Sequence, residues 1–276
     1  MRVKETKHII KGLFKKLNKP FREIQKTFDK DAIHTFRVQT KKLRSLLRLL
    51  SSSQENGAEL KLPKKIKKAY SALGKIRDIQ LQLKEIKETC KKTSQPDEYL
   101  SILKKELKQR KKEFERGLKK NQLSYSRKKI YRKLPLKLPY KNICQFLHQK
   151  IASILALVNA GLSDDIDLHS TRKNIKDIIY INEIYKEALK RHDQPELLNK
   201  GELKKAAALA DELGKFIDKW VSMSLLQPGW LKKIGPEERK QLQSICSRWE
   251  IEKRSIRKHV SGKLKAATFF SQVDKQ

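Results

Sequence analysis

The sequence predicts an all-α protein, and three observations carry that reading. Apolar residues recur with a period near 3.6 along almost the whole chain, and no segment shows the alternation of a half-buried strand. Ten glycines and eight prolines among 276 residues leave long segments without a breaker. Where breakers and small polar residues do cluster, they divide the periodic segments into helix-sized lengths.

Four long helices fit the first half. The first spans about 4–28, with a bend expected at Pro20. The second spans 31–51, with Asp29 or Asp31 as its cap. SSSQENG (51–57) separates it from a third at 58–90, and TSQPDE (93–98) opens a fourth at 97–123. RKLPLKLPY (132–140) then places two prolines four residues apart, which a continuous helix does not tolerate. Four further helices fit 141–161, 165–190, 197–223 and 237–262, punctuated by SDD (163–165), DQPE (193–196) and QPGWLKKIGPEE (227–238). The expected organisation is an N-terminal four-helix bundle in 1–130, a proline-containing linker at 131–140 and a C-terminal four-helix bundle in 141–276.

Sixty-six Lys and Arg against 31 Asp and Glu give a net charge of +35, far beyond what solubility requires. Such a balance points to a polyanionic partner: nucleic acid, inorganic polyphosphate or an anionic membrane surface. Cys90, Cys144 and Cys246 form no CxxC pair and read as buried thiols in a reducing compartment. The N-terminal MRVKETKHIIKGLFKK lacks the apolar run of a signal peptide, so the expected location is the cytoplasm. The most apolar stretch, ICQFLHQKIASILALVNAGL (143–162), carries His148 and Lys150 near its middle, which suits a core helix and not membrane insertion.

A repeat organises the chain. His34-x-x-Arg37-x-x-x-Lys41 recurs 135 residues later as His169-x-x-Arg172-x-x-x-Lys176, and LGKIRD (73–78) recurs as LGKFID (213–218) at an offset of 140. Two ordered matches at nearly one offset, on the second and third helix of each half, indicate a duplicated four-helix unit.

The chemistry lies in HTFRVQTKKLRSLLRLL (34–50). At about 100° per residue, with His34 at zero, Arg37, Lys41, Arg44 and Arg48 fall at about −60°, −20°, −80° and −40°. Phe36, Leu43, Leu46, Leu47 and Leu50 cluster between about 120° and 220°. The leucines can therefore pack into a bundle while a cationic row about 21 Å long faces a groove. Lys42, near 80°, stands off the stripe. Like charges at i,i+4 repel by a few tenths of a kcal/mol each, a sign that a chain of phosphates would reverse. A basic run on a helix is ordinarily a solvated face, but this stretch has no carboxylate at all. The second stripe is weaker, because Ile179 and Glu183 stand where the first has Arg44 and Arg48.

In LGKIRD, Leu73 and Leu213 read as core, and Gly74 and Gly214 as allowing close helix packing. Arg77 and Asp78 fit either an ion pair that orients the stripe or direct ligand contact. Ile217 replaces the arginine in the second copy while Asp218 remains, which favours a structural role for the aspartates.

His34-x-x-Arg37-Val38-x-x-Lys41-Lys42-Leu43-Arg44, followed by Leu73-Gly74-x-x-Arg77-Asp78 and a degenerate second copy, resembles the CHAD domain, the conserved histidine α-helical domain. The resemblance implies two four-helix bundles related by pseudo-twofold symmetry about a basic groove or pore that binds inorganic polyphosphate, with some members at polyphosphate granules. By position it implies ligand contacts at His34, Arg37, Lys41, Lys42, Arg44 and Arg48, with Arg77 as a further candidate. In the second half the implied contacts are His169, Arg172 and Lys176. The sequence departs from the pattern at Ile179-Tyr180, where Arg-Tyr is usual. Nothing resembles the Glu-x-Glu-x-Lys strand of the CYTH domain that many members carry, so a stand-alone module is expected.

No phosphate loop, HExxH or GxSxG is present. Asp164, Asp165 and Asp167 read as a helix N-terminus and not as metal ligands. The expectation is a non-catalytic polyphosphate binder with neither metal nor cofactor. Nucleic acid is the competing partner, with non-specific binding expected at low salt. The chain is low in aromatics suited to stacking on bases and has no zinc-finger or RNA-recognition signature.

Overall fold

In the computed structural model, which describes residues 2–54, 59–90, 94–117, 122–191 and 198–267, the chain forms helices throughout. They are α1 (Val3–Thr27), α2 (Lys30–Ser52), α3 (Lys64–Thr89), α4 (Asp97–Arg116), α5 (Gln122–Tyr131), α6 (Tyr140–Asn159), α7 (Asp165–Arg191), α8 (Lys200–Ser224), the single turn α9 (Pro228–Leu231) and α10 (Pro236–Lys265). Among the described residues no strand is formed; Arg2 and Lys137 make an isolated antiparallel bridge. Among the described residues no helix is long and apolar enough to cross a membrane. DQPE (193–196), part of SSSQENG and Thr93 of TSQPDE lie outside the described residues.

Two expectations are revised. The fourth helix ends at Arg116, and α5 is a separate helix packed against α1 and α3. Leu123, Ser126 and Ile130 bury its inner side, a 3–4 spacing too short to stand out in the sequence. α1 runs unbroken through the buried Pro20. In the 227–238 segment, Pro228 and Pro236 each occupy the first turn of a helix, where a missing N–H costs nothing.

α2 is the element that matters for the site. Phe28, left-handed at φ 53°, closes α1, and the next residue, Asp29, opens α2. Its Oδ1 accepts from the backbone N–H of Asp31 at 2.9 Å and of Ala32 at 2.7 Å, worth about 1 kcal/mol as a cap. Ile33, Phe36, Leu43, Leu46 and Leu50 are completely buried, each contributing about 1.5–3 kcal/mol. Phe36 packs on Phe21, ring centroids 5.4 Å apart, and Phe21 meets Phe114 edge-on. With its apolar side fixed in this way, the cationic side of α2 must face away from α1.

It faces the other half of the chain. α2 packs against α7 and α6, and α3 against α8. One buried apolar cluster runs from α1 and α2 through α6, α7 and α8, and a second joins the ends of α3 and α4 to α9 and α10 around Tyr99 and Trp249. The helix starts of α4 and α10 also cap one another. Glu98 Oε2 accepts from Gly235 N at 2.8 Å, while Glu238 accepts from Glu98 N and Tyr99 N at 3.0 and 3.1 Å. The segment before α6 is tied to the start of α1, with Val3 N donating to Leu136 O at 3.0 Å.

Candidate functional site

Between α2, α3, α7 and α8 lies a cleft of about 320 Å³. Arg37, Lys41, Arg44 and Arg48 line it from α2, and His169, Arg172, Lys173 and Lys176 from α7. Asp78, Asp177 and Asp218 are its carboxylates, and Tyr70 and Tyr180 its aromatic rings. Seven Lys and Arg side chains thus converge on three aspartates. The balance left over is positive, in a recess where charges interact more strongly than in open water.

The arginines of the two repeated motifs are held the same way. Arg37 Nη1 donates to Tyr70 O at 3.3 Å, and Arg172 Nε donates to Ala210 O at 3.1 Å. Both acceptors are helix carbonyls four residues before a glycine, Gly74 and Gly214. A Cβ at Gly74 would collide with Arg37 Nη1, and one at Gly214 would stand 3.4 Å from Arg172 Nη2. The close packing read from LGKIRD is therefore the approach of an arginine to a helix backbone. Tyr70 is shared further, with Arg37 4.7 Å and Arg44 4.8 Å from its ring centroid.

Lys41 sits between the stripes. Burial, then the charges of Arg172, Arg37 and Lys176, push its pKa down to about 8. A depression of that size corresponds to as much as about 3 kcal/mol of strain in the charged form, which an incoming anion would relieve. His169 lies edge-on to Trp220, centroids 6.4 Å apart, and its pKa is lowered by burial and by Arg172 and Lys173. Burial raises the pKa of Asp78 and Asp218, and the field of Asp218 raises that of Asp78 further. Arg37 and Arg172 pull them back down.

Seven of the ten residues expected at the site line the cleft: Arg37, Lys41, Arg44, Arg48, His169, Arg172 and Lys176. Three do not. His34 is exposed at the start of the stripe, where partial burial and the nearby Arg77 and Lys41 lower its pKa. Arg77 is half-buried beside it. Lys42 leaves the stripe to pair with Glu183, its Nζ also 5.7 Å from the Tyr180 ring centroid. Two of the seven are partly spoken for: Arg48 pairs with Asp177, and Lys176 with the exposed Asp211 at 3.0 Å.

Sequence reading missed Tyr70, Lys173, Asp177 and Tyr180. Lys173 had a signal, since it lies four residues after His169 on the same face. Tyr70 had one too, four residues before Gly74. Asp177 had none within α7, because its partners Arg48, Ser45 and Lys150 come from α2 and α6. Asp164 Oδ1 accepts from Asp167 N at 2.8 Å, and Asp165 binds Lys253 at 3.0 Å and Arg257 at 3.3 Å. These carboxylates are engaged at the start of α7. Among the described residues no three His, Cys, Asp or Glu side chains gather as a metal site.

Fold and cleft together define a class: an all-α protein with a cationic recess between two helix pairs. The CHAD domain family model matches residues 8–227, and the chain belongs to that family. In shape it is similar to the crystal structure of the CHAD domain from the plant Ricinus communis, with a TM-score of 0.75 at 17% identity. That match covers 97% of this chain and 91% of the plant domain. No curated protein matches the sequence.

Proposed function

We propose that the chain binds inorganic polyphosphate in the α2–α3–α7–α8 cleft and does not turn it over. The observation that carries this reading is the convergence of Arg37, Lys41 and Arg44 with Arg172, Lys173 and Lys176 on one recess. Arginines grip phosphate oxygens as forks and lysines as point charges, so a flexible anionic chain satisfies both stripes at once. Membership of the CHAD family, with its association with polyphosphate, supports the same ligand. Nucleic acid fits less well, because the Tyr70 ring already carries two guanidiniums and is not free to stack on a base. The non-catalytic part is supported by Asp177, which is paired with Arg48, and by the fields of Arg37 and Arg172 on Asp78 and Asp218. A location at polyphosphate granules follows from binding and is proposed with it.

The test is calorimetric titration of long-chain polyphosphate into wild type and Arg37→Ala/Arg172→Ala. Each arginine makes charge-assisted contacts worth about 1.5–3 kcal/mol, so the double variant is expected to lose 100-fold or more in affinity, about 3 kcal/mol, while retaining its helical content. Wild-type affinity in the folded double variant refutes the site. Metal-dependent phosphate release from the polymer refutes the non-catalytic part.

A further inference from the structure

The ion pairs between α2 and α7 are one contact made twice. Lys42 pairs with Glu183, and Arg48 with Asp177. The 135-residue offset that relates the two His-x-x-Arg-x-x-x-Lys motifs turns position 42 into 177 and position 48 into 183. Exchanging the helices therefore maps each ion pair onto the other. Similar exchanges relate Arg37–Tyr70 to Arg172–Ala210 and set Glu98 opposite Glu238, 140 residues on. Within these two pairs only the sign of charge breaks the symmetry: α2 supplies the cation in both and α7 the anion in both. Had α7 repeated α2 here, cation would face cation twice, with Lys42 13% and Arg48 29% exposed. Charges that close and that shielded repel strongly.

We propose that Asp177 and Glu183 are the protein's own counter-anions, which join the two halves across α2 and α7 and keep Arg48 and Lys42 out of the ligand-binding set. The second clause rests on the polyphosphate reading above; the first does not. Asp177 is the stronger of the two. Its side chain is 3% exposed, accepts from Ser45 Oγ as well as Arg48, and has Lys150 Nζ 3.9 Å from its other oxygen. A carboxylate so buried persists only with such partners. Glu183, 51% exposed, holds Lys42 more loosely. Asp177 and Glu183, where the second repeat departs from Lys42 and Arg48, are thus complements to the first, and the grip on a ligand falls to Arg37, Lys41, Arg44, Arg172, Lys173 and Lys176.

A charge exchange tests the joining role. Lys42→Glu and Glu183→Lys are each expected to lower the midpoint of thermal unfolding, and the double exchange to regain most of the loss. A double variant as unstable as the two single losses combined overturns it. Long-chain polyphosphate titrated at about 150 mM salt tests the sequestration. Asp177→Asn frees Arg48 and is expected to tighten binding several-fold despite a lower unfolding midpoint. Glu183→Gln, at an exposed residue, serves if Asp177→Asn does not fold, and is expected to tighten binding as well. Unchanged or weaker affinity in a folded variant overturns the sequestration. If wild type itself binds no polyphosphate, the functional reading and the sequestration fall together, and the charge exchange still decides whether these carboxylates join the halves.

Discussion

At Gly74 the absence of a side chain decides where an arginine goes. Gly74→Ala would push Arg37 off the Tyr70 carbonyl, and because the guanidinium ends a flexible chain it can yield. Replacing a mid-helix glycine gains about 0.5–1 kcal/mol, and the lost hydrogen bond costs a similar amount, so denaturation should show stability within about 1 kcal/mol of wild type. Polyphosphate affinity should nevertheless fall several-fold, and an unchanged affinity would mean that the Arg37 geometry is unimportant. Protonation gives a second residue-scale test. Lys41 is depressed to about 8 in the free protein, and His34 and His169 also lie below their usual value. Bound phosphates favour every charged form, so binding takes up protons. Affinity should weaken as pH rises through about 8 and strengthen as pH falls through the histidine range; calorimetry across this range reads it, and a flat profile contradicts it. The stripe was legible from spacing alone, since Arg37, Lys41, Arg44 and Arg48 had to share a face once the leucines took the other. What spacing could not reveal was which of these cations another helix neutralises.

Among the elements, the helix starts were the most legible parts and their partners the least. Asp29 before α2 and Asp164 before α7 announce caps, because a carboxylate satisfies orphan N–H groups wherever the chain goes next. The mutual cap of α4 and α10 spans 140 residues and has no local signature. Glu238→Ala removes two hydrogen bonds to the first turn of α4 and should cost about 1–2 kcal/mol in chemical denaturation. It should leave polyphosphate binding intact, since the cap lies outside the cleft. A loss of binding without a loss of stability would assign Glu238 a different role. α5 escaped notice because only two of its four buried positions, Leu123 and Ile130, are apolar, too few for periodicity to register.

For the molecule as a whole, composition and periodicity were enough for the fold class, while the joining of the halves was not visible. Apolar clusters that run from α1 to α8 and from α3 to α10 make the cleft a product of the whole chain, so neither stripe forms the recess alone. The +35 charge is the competing explanation for any anion binding, because counter-ion release rewards every basic surface. A competition titration separates the two. Labelled long-chain polyphosphate bound to the protein at about 150 mM salt would be displaced by unlabelled polyphosphate or by duplex DNA at matched phosphate concentration. If the cleft is the site, polyphosphate displaces the label far more effectively than DNA, and the preference disappears in Arg37→Ala/Arg172→Ala. Equal displacement by DNA, or a preference that survives the double substitution, would contradict the account.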